Sequence, residues 1–185
     1  DPHPEAERQS DDQFLRDGSN RRNDRYGGVP ENRVRLVTEV TDAVLSVVEA
    51  GRAGVRMSPT HPWNGMSDTD PQRMFGHAAQ ALGQRGLAYL HLVRNDADFD
   101  WAALKAAFGG PVILAGGYDR DRAETALQSG TADLVAFGEA FIANPDLVER
   151  FGRGAGLATS DRATYYAGGA RGYTDYAALG MLLRD

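Results

Sequence analysis

The chain alternates short apolar runs with helical stretches through most of its length. The runs are AGVRMSP, LAYLHLV, PVILAGG and ADLVAFG, at residues 53–59, 87–93, 111–117 and 132–138. Between them, helical patterns cover residues 71–82, 100–108 and 120–128, and glycines follow the last two. Short runs without clean alternation favour strands buried on both faces, and their alternation with helices indicates βαβ units. We therefore expect an α/β protein with four parallel strands in sequential order and helices on one face, the strands near residues 53–57, 88–93, 112–115 and 133–137.

The flanking segments carry different patterns. Residues 1–30 are polar, rich in Gly, Pro, Asp and Asn, and lack periodicity, so we expect an extended polar loop. A helix is predicted over residues 30–50, where Gly51 ends it, with a valine stripe at Val34, Val37, Val40, Val44, Val47 and Val48. After the fourth run we expect a short helix at 146–151 and a Gly/Tyr-rich tail at 165–176.

Composition narrows the class of protein. The 185 residues include 20 Lys+Arg, 26 Asp+Glu and no Cys, for a net charge of −6. Without cysteine there is no disulfide, thiolate metal site or cysteine nucleophile, and the charge balance argues against nucleic-acid and membrane partners. No apolar run approaches the roughly 20 residues of a membrane span, and the first 25 residues are too polar for a signal peptide, so we expect a cytoplasmic protein. His61 and His77 lack metal-binding spacing, so we expect no metal site.

Loops at the carboxyl ends of parallel strands usually carry the functional site. Here they begin at residues 56–60, 94–96, 116–119 and 138–140. Gly116 and Gly117 lie between a predicted strand and a helix, and Gly138 ends the next strand. Adjacent glycines let backbone amides approach an anion, which indicates a phosphate cradle, although the same glycines also suit an ordinary turn.

Three other features offer candidate chemistry. Arg56 lies within the apolar run GVRM, where its charge needs either a bound anion or an internal salt bridge. His91, in LAYLHLV, is interpreted as a hydrogen-bonded core histidine in preference to a catalytic one. The tail tyrosines either line a flat aromatic ligand or dock the tail; they are Tyr165, Tyr166, Tyr173 and Tyr176.

Together these segments resemble the second half of the old yellow enzyme family of FMN-dependent oxidoreductases. The resemblance runs from about Gln13 to Tyr176, through DQFLRDGSNRRNDRYGG, ENR, GVRMSP, LAYLHL, ILAGGYD, DLVAFG, FIANPDL and GYTDY. The family has a (β/α)8 TIM barrel, and the resemblance implies that the four runs are its strands five to eight. Residues 31–185 are then expected to form a half-barrel domain that includes the tail.

The resemblance also implies site residues. Arg56 matches the arginine that faces the pyrimidine side of the flavin, and Gly116, Gly117 and Gly138 match the phosphate loops. Tyr166 matches an aromatic residue on the substrate and nicotinamide side. Glu139 stands where the family has a phosphate-clamping arginine, and a carboxylate there would repel the phosphate. The family's substrate-binding His/Asn pair is replaced by PHPEAERQSD, in which His3 does not keep the spacing, so catalytic residues of this chain stay unknown.

Two functions follow as hypotheses. The first is an NAD(P)H-driven ene-reductase, in which hydride passes from NADH or NADPH to FMN and then to the β-carbon of an activated alkene, with a proton added at the neighbouring carbon. Because four strands of an eight-stranded barrel leave two open edges, the missing half must be replaced by a second copy in a homodimer, by a companion chain, or by a sheet that curls differently. The second is a non-catalytic half-barrel remnant that serves as an assembly or ligand-binding module. A different reaction in a repurposed pocket is a third, weaker reading.

Overall fold

The structure is a computed structural model that describes residues 10–62, 65–95, 98–166 and 169–182. The chain divides into two compact units, one ending at Val135 and the other beginning at Ala136. In the described ranges, no helix has both the length and the apolar character needed to cross a membrane. Position 30, the expected end of the polar loop, lies inside the first unit at the start of a helix.

The first unit contains the α/β repeat. Its strands are β1 (Gly54–Met57), β2 (Tyr89–Val93), β3 (Val112–Ala115) and β4 (Leu134–Ala136), which runs into the second unit. Its helices are α1 (Ser10–Leu15), α2 (Pro30–Arg33), α3 (Arg35–Leu45), α4 (Pro71–Gly83), α5 (Trp101–Phe108) and α6 (Arg120–Gln128). The second unit has α7 (Glu139–Ala143), α8 (Leu147–Arg153) and α9 (Leu179–Leu182).

The sheet confirms the predicted topology. Its strand order is β1-β2-β3-β4, and the pairings of β1 with β2 and of β2 with β3 are both parallel. The register places Arg56 opposite His91 and His91 opposite Ile113. Because side chains alternate along a strand, these three residues share one face of the sheet.

The two faces of the sheet differ in burial. One face packs under the helices and supplies core residues that are almost fully buried: Met57, Leu90, Leu92, Val112 and Leu114. The opposite face is more accessible among the described residues, since Tyr89 is 39% exposed and Leu134 is 52% exposed there. The expectation of strands buried on both faces is therefore wrong for this chain, because its helices cover one face and the other is the interior side of a barrel. We call this second face the open face.

The helix predicted over residues 30–50 is shorter than expected and interrupted. Val34 separates α2 from α3, and α3 ends at Leu45. The Ser46 hydroxyl donates to the carbonyl of Ala43 at 2.7 Å, and the two β-branched valines that follow favour helix weakly. Only the start of the valine stripe is core, since Val37 is 2% exposed whereas Val47 is 83% exposed.

The segment before residue 30 is more ordered than the expected extended loop. It contains α1, and its Asn20 side-chain amide donates to the carbonyls of Phe14 and Tyr26 at 2.6 and 2.7 Å. Arg16 is 3% exposed and donates to the carbonyl of Ser58, just beyond β1. Buried polar side chains that bond to the backbone hold this segment in place. Such contacts leave no hydrophobic period in the sequence.

Candidate functional site

Arg56 lies on the open face of β1. It is exposed and, within the described residues, forms neither a hydrogen bond nor an ion pair. The internal salt bridge considered from the sequence is therefore not present there. Because alternation along β1 directs this side chain away from the helices, its charge is accessible to an anion on the open face.

His91 is the neighbour of Arg56 on β2. It is half-buried, and its Nε2 atom is buried without a hydrogen-bond partner among the described residues. Burial, reinforced by the positive charge of Arg56, lowers the pKa of His91 below its ordinary value. The prediction that His91 is a hydrogen-bonded core histidine is therefore wrong for its Nε2 atom. Because the pKa is lowered, the ring is neutral at pH 7.

His61 lies in the loop after β1. Its Nε2 atom is 3.1 Å from the carbonyl of Arg94, and burial lowers the pKa of this imidazole too. Among the described residues, no group of acidic or histidine side chains could hold a metal ion.

The turn after β3 requires its glycines. Gly116 and Gly117 have φ of +95° and +66°, values that favour glycine. A Cβ at Gly116 would lie 2.2 Å from the carbonyl oxygen of Arg94, whereas one at Gly117 would meet only Nη1 of Arg122, at 3.7 Å. The turn therefore packs tightly on the loop after β2 and exposes Gly117 on its outer side. This arrangement serves the turn itself and also leaves a Cβ-free surface for a ligand.

Two arginines flank this turn, and neither of them stands out in the sequence as a site residue. The guanidinium of Arg94 lies 5.2 Å from the ring centroid of Tyr118 and donates from Nη1 to its hydroxyl at 3.2 Å. Arg94 and Arg122 both line a groove of about 350 Å³ along α6, which Tyr118 and Asp121 also line. The sequence signal was weak, because a surface arginine in the first turn of a helix resembles any other solvated charge.

In the second unit, Gly138 and Glu139 begin α7. Gly138 has φ of −99° and ψ of −73°, and a Cβ there would meet nothing within 4 Å. Its backbone therefore does not require glycine, unlike Gly116. Glu139 is exposed, and its negative charge acts on the Tyr165 hydroxyl, which pairs with the Ser160 hydroxyl. Burial, followed by the Glu139 contact, raises the pKa of Tyr165.

The tail tyrosines divide into anchored and exposed side chains. Tyr176 accepts a hydrogen bond from the amide of Asp161 at 2.8 Å. Tyr166 is 76% exposed and lies edge-on to Tyr165, with 6.5 Å between ring centroids. The docking interpretation thus describes Tyr165 and Tyr176, whereas Tyr166 and Tyr173 present their rings to solvent.

Four parallel strands in sequential order, with helices on one face and glycine-rich loops at their carboxyl ends, define a partial (β/α)8 barrel. The model of the NADH:flavin oxidoreductase / NADH oxidase family matches residues 11–157. The chain belongs to this family, and the resemblance to old yellow enzymes is thereby confirmed.

Individual relatives support the assignment to this family. A putative 12-oxophytodienoate reductase 12 of Oryza sativa subsp. japonica is 42% identical over 185 residues, covering 91% of this chain and 46% of the relative. A probable flavin mononucleotide-dependent alkene reductase of Leishmania infantum is 41% identical over 172 residues, with coverage of 89% and 46%. The structure of morphinone reductase in complex with tetrahydroNAD is 46% identical with a TM-score of 0.87, covering 91% of this chain and 47% of that one. The chain thus spans about half the length of these relatives.

Proposed function

We propose that this chain is the phosphate-binding half of an FMN-dependent oxidoreductase that reduces activated C=C bonds with NADH or NADPH. The observation that carries the proposal is the placement of Arg56 and of the Gly116–Gly117 turn at carboxyl ends of strands in a partial barrel of this family. A similar alkene reductase and a reductase solved with a nicotinamide analogue support the substrate and reductant classes.

The residues present fit FMN. At Gly116 a side chain would fill the turn, and at Gly117 the position of a Cβ has only Nη1 of Arg122 within 4 Å among the described residues, so a phosphate can approach the backbone amides of this turn. Arg56 offers an exposed charge, unpaired among the described residues, for the pyrimidine side of the ring system. When bound, FMN would take hydride from the nicotinamide and deliver it to the β-carbon of the alkene. Arg56 would stabilise negative charge on the ring, and Tyr166 would line the substrate side.

We propose that polypeptide outside the 185 residues of this chain supplies the remaining machinery. Residues 1–9, which include His3 of the segment replacing the family's His/Asn pair, lie outside the described residues. Since the open face and two strand edges need cover, we propose that a companion chain, or a second copy, completes the barrel. A cytoplasmic location, expected from the sequence, stays a prediction.

The non-catalytic remnant is the second candidate, and one observation favours it. Glu139 places a carboxylate at the start of α7, where the family has a cation. A ligand-binding module that does not bind flavin would keep the fold but would no longer need that cation.

Absorbance and activity distinguish the two candidates. We expect the purified chain to bind added FMN, with the flavin absorbance bands shifted, and Arg56→Ala to weaken binding. Mixed with a polypeptide that carries the family's first four strands, and with O2 removed so that it cannot reoxidise reduced FMN, it should turn over NADPH only when an α,β-unsaturated ketone is present. A chain that binds no FMN alone or in that mixture would contradict the oxidoreductase proposal and support the remnant.

A further inference from the structure

The turn after β3 is a site of concentrated positive charge within the first unit. The side chain of Asp119 accepts from the Arg122 amide at 2.8 Å. This cap fixes the first turn of α6, which carries Arg122. One of its guanidinium nitrogens lies 3.7 Å from the position of a Gly117 Cβ. Arg94 is held on the other side by the ring and hydroxyl of Tyr118.

A phosphate at this turn needs such a charge. Backbone amides supply hydrogen bonds but only partial charges, and the strongest phosphate contacts come from the planar fork of an arginine. The position after Gly138 cannot provide one, because it holds the carboxylate of Glu139. Within the described residues, Arg94 and Arg122 are the cations that line the groove beside the turn, and Asp121 is the acidic group that opposes them.

We propose that Arg122 binds the phosphate group at the Gly116–Gly117 turn and takes the place of the phosphate-clamping arginine that this chain lacks at position 139. The inference rests on the proposed function, which supplies FMN as the phosphate ester. Arg94 adds a second charge, whose position is set by packing on Tyr118. Its Nε atom is buried and has no hydrogen-bond partner among the described residues.

The first test compares two flavins that differ only in the phosphate. FMN and riboflavin are titrated into the wild-type chain, Arg122→Ala and Arg120→Ala, and binding is followed by quenching of flavin fluorescence. Arg122 is exposed, so its truncation leaves the core intact, and Arg120 is an exposed arginine in the same turn of α6. We expect Arg122→Ala to weaken FMN about tenfold and to leave riboflavin unchanged, with Arg120→Ala like wild type. Equal losses for both flavins, or no loss for FMN, would overturn the proposal.

The second test uses inorganic phosphate and needs no flavin. Phosphate is titrated into ¹⁵N-labelled chain while the amide signals of Gly116 and Gly117 are followed. We expect both to shift in wild type and the apparent affinity to fall in Arg122→Ala, with partial recovery in Arg122→Lys. If phosphate binds this way but FMN does not, the inference stands and the proposed function fails. If neither glycine responds, or Arg122→Ala responds like wild type, the inference is wrong.

Discussion

At the scale of single residues, Gly116 shows how strongly one position constrains the loop. Its φ of +95° is accessible to glycine, and the carbonyl oxygen of Arg94 occupies the space of a side chain at 2.2 Å. We predict that Gly116→Ala destabilises the fold by more than the ~1–2 kcal/mol of left-handed strain alone. Gly109→Ala is the control, since Gly109 has φ of +72° and nothing within 4 Å of a Cβ. Urea unfolding of both variants measures the difference, and equal losses would show that the loop yields easily.

His91 makes stability depend on pH. Its pKa is lowered in the folded chain by burial and by Arg56, whereas the unfolded chain binds a proton near pH 6.5. Above that pH both states are neutral at His91; as pH falls, the unfolded state gains its proton first and is favoured. We predict that wild type loses stability between pH 7.5 and 5.5 and that His91→Gln loses less. Parallel curves for the two proteins, measured by denaturant unfolding, would exclude this contribution.

Glu139 offers a third test at residue scale. If its carboxylate lies near the phosphate, Glu139→Arg replaces repulsion by a charge-assisted contact of about 1.5–3 kcal/mol, a gain in FMN affinity of roughly tenfold or more. Glu124→Arg makes the same change of charge on the exposed side of α6. FMN is titrated into the three proteins side by side. Equal affinities of wild type and Glu139→Arg would place Glu139 outside the site, whereas no binding by either would favour the non-catalytic remnant.

At the scale of elements, the connection between α2 and the loop before α4 depends on one buried ion pair. Arg33 pairs with Asp68, whose side chains are 7% and 0% exposed, and also donates to the carbonyl of Leu15 at 2.6 Å. Asp68 further accepts from the amides of Asp17 and Asp70, both at 2.9 Å. The carboxylate thus ties three chain segments together.

We predict that Asp68→Ala costs about 3–5 kcal/mol, because it leaves a buried guanidinium uncompensated. The matched control is Asp42→Ala, which breaks the pair of Asp42 with Arg85, where the carboxylate is 57% exposed. There we expect less than about 1 kcal/mol. Thermal unfolding of both variants separates the two cases, and a cost at Asp68 as small as at Asp42 would contradict the structural role.

Helices that have both a hydrophobic period and an N-terminal capping residue could be predicted from the sequence. The starts of α4, α5 and α6 lie within one residue of prediction, because each follows an aspartate whose side chain accepts from the backbone three residues on. The short helices α1, α7 and α9 were missed, since four to six residues cannot display a helical period. In the same way Arg56 and Gly116 could be placed at strand ends, but the approach of Arg122 to the Gly117 turn follows from the fold and leaves no pattern in the sequence.

At the scale of the whole molecule, surfaces that a complete barrel would cover are exposed. Beside β1, a groove of about 210 Å³ is lined by Val40, Val44 and Arg56 among others. On the open face, Tyr89 and Leu134 are likewise accessible. Contiguous apolar surface next to an unpaired strand edge drives association in water.

We therefore predict that the isolated chain self-associates. Leu134→Lys combined with Val44→Lys should reduce association, because it places charge on the open face and in the groove. It should change unfolding stability by no more than about 0.5 kcal/mol, since both side chains are already exposed. Val148→Lys is the control: Val148 is 74% exposed on α8 and lies on neither surface. Sedimentation velocity over a range of concentrations gives the answer, and a compact 20.0 kDa wild-type species with cooperative thermal unfolding would show that four strands suffice for a stable monomer.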